Sequence, residues 1–193
     1  MATIQITLTG TTPLLLHNAR LSDPDDPITR EIKTYTSKQT KTEDDRRSIE
    51  RLEWYGGLYL ADGIEGPAEP TANIRRCLID SAQLSRQGKK LPQAITFTTL
   101  FVPLMFDGPR DLDRLFAGER YASRLPVRVQ RSRTWRVRPS FLPWSVSAQA
   151  FLLEDVMDFD AVVRIAQRAG EAVGMGDNRI NGYGRFTAEV IRV

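Results

Sequence analysis

Ile4, Ile6 and Leu8 alternate with Thr and Gln over residues 3–9, the period of a strand with one buried face. Gly10 and Pro13 punctuate that strand, and Leu14-Leu15-Leu16 carries the extended run on to His17. Periodicity is then lost. Residues 18–48 are polar, with Pro24 and Pro27, and predict a long, mobile insertion with one short helix over residues 43–53. Leu58-Tyr59-Leu60, after Gly56-Gly57, predicts a short strand. Gly66-Pro67-Ala68-Glu69-Pro70 stops the chain, and Thr71 is placed to cap a helix over about 72–86. That helix would turn Ile74, Cys77, Leu78 and Ala82 to one face. Residues 94–106 alternate again as a strand, and 111–118 suit a helical turn. Residues 124–138 predict a β-hairpin, 141–153 another strand, and 186–192 a closing one. Before that last strand, Asp158 is placed to cap a helix through about Val173, with Phe159, Val162, Val163, Ile165 and Ala166 inward.

Without the insertions the order is strand, helix, strand, strand, helix, strand. This predicts an α+β fold of the ferredoxin-like (RRM-like) βαββαβ kind, an antiparallel sheet backed by two helices. The expected organisation is one domain over residues 1–193, with insertions at about 18–70 and 107–140.

Composition narrows the chemistry. A 41% hydrophobic content supports a packed core. One cysteine, Cys77, and one histidine, His17, leave no disulfide framework and little from which to build a transition-metal centre, so neither metal nor cofactor is expected. No apolar run suggests a signal peptide or a membrane span, and the chain reads as cytoplasmic. The net charge of +3 is unevenly placed. Residues 1–70 carry eight basic and twelve acidic side chains; residues 71–193 carry nineteen and twelve. A basic second half favours an anionic partner.

Two stretches could meet such a partner. Residues 124–138 contain six arginines and no acid. Arg128, Arg131, Arg133, Arg136 and Arg138, interleaved with Trp135, have the makings of a single-stranded nucleic-acid platform, with guanidinium groups on phosphates and a ring under a base. The alternative is a hairpin edge kept soluble by charge. The second stretch, Gly174 to Arg185, reads Gly-Met-Gly-Asp-Asn-Arg-Ile-Asn-Gly-Tyr-Gly-Arg. It follows a helix and precedes a strand, the reverse of a dinucleotide fingerprint, and it lacks the Gly-Lys-Ser/Thr end of a P-loop. Glycines admit close backbone approach and arginines offer forked donors to phosphate, although the same composition suits a plain helix-to-strand connection.

These residues resemble the RAMP superfamily, the repeat-associated proteins of CRISPR effector complexes, and most of all their backbone subunit. Gly174-Met175-Gly176, Arg179 and Gly182-Tyr183-Gly184-Arg185 resemble the family's C-terminal glycine-rich loop, at the same place between second helix and last strand. Pro67-Ala68-Glu69-Pro70-Thr71-Ala72-Asn73-Ile74-Arg75 resembles the opening of the family's first helix, with departures at Arg76, often Gly there, and at Ile79, where the family has Arg. The resemblance implies a sequence-independent binder of single-stranded RNA, such as CRISPR guide RNA, that assembles as a homo-oligomer or in a multi-subunit complex. The hairpin would be its thumb. Arg75 and Arg76, near the N-terminus of the first helix, could add to an anion site through its unpaired N–H groups. The other RNA contacts expected from the motifs and the resemblance together are Asn73, the hairpin residues above, Gly174, Gly176, Asn178, Arg179, Asn181, Gly182, Tyr183, Gly184 and Arg185.

Two other readings stay open. One is a RAMP-type endoribonuclease using His17 as general base or the Asp23, Asp25, Asp26 cluster with a divalent metal. Each has a plainer explanation, a structural histidine and a solvated Asp-Pro turn. The other is an interaction protein, of host or phage origin, that joins or blocks an effector filament.

Overall fold

Alternation of apolar and polar residues builds the longest strands, and the chain folds as a mixed α+β structure with antiparallel sheets. The computed structural model describes residues 1–129 and 132–193, with side chains outside 127–133. In chain order the first elements are β1 (Ala2–Gly10), β2 (Leu14–Leu15), α1 (Pro27–Thr36), α2 (Glu43–Gly57), β3 (Ala68–Pro70) and α3 (Thr71–Gln83). Then come α4 (Leu91–Ala94), β4 (Ile95–Phe97), β5 (Phe101–Pro103), β6 (Met105–Phe106) and α5 (Leu112–Ala117). The last are β7 (Ala122–Val129), β8 (Ser132–Phe141), β9 (Trp144–Leu152), α6 (Phe159–Arg168) and β10 (Phe186–Arg192). They fall into two compact units, one of Met1–Leu14, Leu60–Asp107 and Leu142–Val193, the other of Leu15–Tyr59 and Gly108–Phe141.

The first unit is built on a sheet in the order β10-β1-β9-β4, with β6 also pairing β9. Every pairing in it is antiparallel, and Ile6 lies opposite Val190 on one side and Ala148 on the other. That register buries Ile4, Ile6, Leu8, Val146, Ala148, Ala150 and Leu152 on one face. The other face is polar, and Gln5 and Thr7 both hydrogen-bond Ser147 across the strands. Ile74, Cys77, Leu78 and Ala82 of α3, with Val162, Ile165 and Ala166 of α6, are buried as the helical period requires. The two helices are tied by Ser81 Oγ, which donates to Ile165 O at 2.8 Å.

Several boundaries differ from those expected. Thr71 is the first helical residue rather than the cap. Its hydroxyl donates to Thr99 O at 2.7 Å, and Pro70 occupies the cap position without a side-chain bond. The strand expected over 94–106 breaks because the chain changes partners: β4 pairs β9, whereas β5 pairs β3 with Val102 opposite Glu69. Asp158 stands at the cap of α6 without a side-chain hydrogen bond to the helix, and the helix widens after Arg168 into a π turn, Ala169–Val173. A Cβ on Gly170 in that turn would lie 1.9 Å from Phe186 O, so only glycine fits.

The second unit contains α1, α2, α5 and the β7–β8 hairpin, whose register sets Pro126 opposite Trp135 and Leu125 opposite Arg136. Trp54, Leu115, Tyr121, Val137 and Phe141 form its buried centre, and Trp54 Nε1 donates to Tyr121 O at 2.8 Å. Residues 18–48 hold more structure than the sequence pattern predicts. Asp26 caps α1 by accepting from Ile28 N at 2.9 Å, with Pro27 at the first helical position. The helix expected over 43–53 runs to Gly57, opened by a capping box between Thr42 and Asp45. Leu58–Leu60 is no strand; Leu58 closes α2, its N–H donating to Tyr55 O.

Candidate nucleic-acid interface

The glycine-rich loop 174–185 is braced from three sides within the first unit. From helix α3, Cys77 Sγ donates to Gly174 O at 3.0 Å, and burial pushes that thiol's pKa up to about 12. From the segment after β1, Gly184 N donates to Pro13 O at 2.8 Å, and Thr12 Oγ1 donates to Gly182 O while accepting from Arg185 N, both at 2.8 Å. Within the loop, Met175 N donates to Gly184 O at 2.8 Å. These bonds give the loop a defined backbone conformation.

Its glycines divide into two kinds. Gly174, Gly176, Gly182 and Gly184 all have φ near +70 to +90°, at 78°, 75°, 87° and 68°. A Cβ on Gly184 would fall 1.8 Å from Met175 O, and one on Gly174 would fall 2.8 Å from Tyr183 O. These two exist so that the loop's own strands can close on each other. A Cβ on Gly182 would meet nothing within 4 Å. Gly182 therefore answers to its backbone angle alone. Asn178 joins them in the left-handed region at φ 58°, its N–H on Asp177 Oδ1 and its side-chain oxygen accepting from Asn181 Nδ2.

The loop presents two guanidinium groups. Arg179 Nη1 donates to Asp80 Oδ2 at 3.1 Å, and Arg185 Nη2 reaches Arg179 O at 3.4 Å. Arg185 Nη1 is buried and, among the described residues, has no acceptor within hydrogen-bond distance. Arg76, expected as a contact, joins the cluster through the other oxygen of Asp80, at 2.8 Å. Tyr183 is half-buried, and Ile180 projects from the loop, 93% exposed.

The remaining expected contacts lie elsewhere. Asn73 Nδ2 donates to Glu69 Oε1 at 2.9 Å and so serves a buried carboxyl. Arg75 donates to Pro92 O at 3.0 Å. Thr71 N donates to Leu100 O at 2.9 Å, so the first amide of helix α3 is already engaged. In the second unit, Trp135 is exposed, at 69%, and Arg138 sits opposite Ser123 in the hairpin. Arg136 is an ion pair of the buried Glu53, whose other oxygen accepts from Val137 N at 2.9 Å. Its guanidinium is partly committed to holding the hairpin on α2. Arg131 lies outside the described residues, as do the side chains of Arg128 and Arg133, whose backbones face each other across the hairpin.

The acidic cluster is local scaffolding. Asp26 caps α1 and pairs with Arg20 at 2.9 Å, Asp25 pairs with Arg30 at 2.7 Å, and Asp23 Oδ1 accepts from Asp25 N. His17 is exposed, and its backbone oxygen accepts from Tyr59 Oη at 3.2 Å. Among the described residues, no three His, Cys, Asp or Glu side chains are grouped to hold a metal ion. No described helix is long and apolar enough to cross a membrane.

Sequence reasoning missed Asp80, Thr12, Glu53 and Glu69. Asp80 had a signal, its i,i+4 spacing from Arg76. Glu69 had a weaker one, a lone acid between small and proline residues. Thr12 and Glu53 act across long sequence separations that no local pattern reports.

No family model matches the chain, and no curated protein matches it. Among solved structures it is similar to a chain of the cryo-EM structure of the Type III-B Cmr-beta bound to cognate target RNA. The identity is 10% and the TM-score 0.47, over 99% of this chain and 61% of that one. The chain thus spans about three-fifths of the length of that relative.

Proposed function

We propose that the chain is a RAMP-type protein of ferredoxin-like fold that binds single-stranded RNA through its phosphates, without reading sequence. The observation that carries this reading is the braced loop 174–185, which positions Arg179, its side chain 35% exposed, with Arg185 anchored on Arg179 O. Forked guanidinium donors on a preorganised backbone suit phosphate oxygens, and they carry no information about bases. Charge supports the same partner, because residues 71–193 hold nineteen basic side chains against twelve acidic. Asn178, Asn181 and Tyr183 are the neighbouring polar and aromatic contacts, and the exposed Trp135 is a separate ring on which a base can stack.

In this reading several copies, or this chain with other subunits, lie along one RNA, of which a CRISPR guide RNA is an example. The test is the state of the purified protein. We expect an elevated ratio of absorbance at 260 and 280 nm, in a particle larger than one chain, which collapses on ribonuclease treatment. A nucleic-acid-free protein that also ignores labelled single-stranded RNA at low salt would overturn the proposal.

A further inference from the structure

Asp80 lies one helical turn beyond Arg76 on α3 and joins two cations that belong to different elements. Its Oδ1 forms an ion pair with Arg76 Nη2 at 2.8 Å, and its Oδ2 accepts from Arg179 Nη1 at 3.1 Å. The Asp80 side chain is only 18% exposed, and that of Arg179 is 35% exposed. At such depth charges interact more strongly than on open surface. Arg185 is joined to this pair only through the backbone, its Nη2 donating to Arg179 O at 3.4 Å.

A carboxylate offers two oxygens to a guanidinium fork in the manner of two phosphate oxygens. Asp80 thus occupies, from inside the protein, the chemical role that an RNA phosphate would take on Arg179. We propose that Asp80 is an internal competitor for phosphate that sets how tightly the loop holds an RNA backbone. This rests on the phosphate-contact reading of the loop. An incoming phosphate must share Arg179 with Asp80 or draw it away, so the carboxylate lowers affinity and confines binding to polyanions that make several contacts at once. Asp80 is a tuning residue: it reaches RNA only through Arg179 and Arg76.

The substitution Asp80→Asn keeps the shape and one acceptor for Arg179 while removing the charge. With a fluorescein-labelled 20-nucleotide poly-U RNA as probe, it should tighten binding about threefold or more at 0.1 M salt. It should also steepen the dependence of log K on log salt by about 0.7, the value for one further phosphate contact on a single strand. Glu171→Gln makes the same change of charge on an exposed residue of the π turn ahead of the loop, and should give clearly less. The gain from Asp80→Asn should vanish in an Arg179→Ala background, which is the coupling expected of a shared partner. Asp80→Ser provides a second neutral variant, and thermal melts report folding for each.

Weaker RNA binding by folded Asp80→Asn and Asp80→Ser would overturn the proposal and make Asp80 a support for Arg179. Equal gains in Asp80→Asn and Glu171→Gln would overturn it too, leaving only a bulk charge effect. Wild-type protein that does not bind the probe, or that binds it equally without Arg179 and Arg185, would instead strike the underlying reading.

Discussion

Glu69 is a buried carboxyl whose burial shifts its pKa upward. It is fully buried, Oε1 accepts from Asn73, and Oε2 has no partner among the described residues. Burial pushes its pKa up from 4.5 to about 8, with the Asn73 bond opposing. The folded chain therefore keeps the proton up to about pH 8, whereas the unfolded chain releases it near 4.5. Between those values the unfolded state binds fewer protons, so stability falls as pH rises. The loss attributable to this one group between pH 4.5 and 7 is about 3 kcal/mol. Glu69→Gln should flatten the melting temperature across pH 5–8, and parallel decline in both proteins would refute the assignment. The loop glycines make a second prediction at this scale. Gly184→Ala places a Cβ against Met175 O and should destabilise by roughly 3 kcal/mol or more. Gly182→Ala meets open space and should cost only about 1 kcal/mol for its backbone angle. Urea unfolding of the two variants separates these outcomes, and similar losses would contradict the distinction.

At the scale of elements, what a local period specifies was legible and what a distant partner specifies was not. The closing strand 186–192 and the inward face of α3 follow directly from alternation and from the 3.6-residue period. Helix α1 carried its start signal in Asp26-Pro27, yet its polar composition and lack of any buried side chain hid it. The strand expected over 94–106 looked continuous because its side chains alternate; only the switch of partner from β9 to β3 breaks it. The π turn after α6 answers to the closeness of Gly170 and Phe186, sixteen residues apart. Likewise the loop's arginines were legible by type, while Thr12, Cys77 and Asp80, which fix their positions, come from other segments. Helix α2 offers a direct check. Thr42→Ala removes the acceptor for Asp45 N and should cost about 1 kcal/mol, read as a lower denaturation midpoint with unchanged slope. No change would mean that the capping box leaves the helix unaided.

For the whole molecule, the uneven charge and the braced glycine-rich loop support the proposal that the chain is held on RNA by its phosphates. Composition alone pointed to an anion, and the order of elements placed the loop between α6 and β10. Within that loop Arg179 is held by Asp80, and Arg185 is anchored on Arg179 O. The most direct test is a salt titration of binding to labelled single-stranded RNA by the wild type and by Arg179→Ala/Arg185→Ala, both shown folded by thermal melts. The account predicts that the double variant binds about tenfold more weakly or worse, with a salt slope shallower by about 1.4, equally for RNAs of different sequence. A folded double variant with wild-type affinity and slope would contradict it.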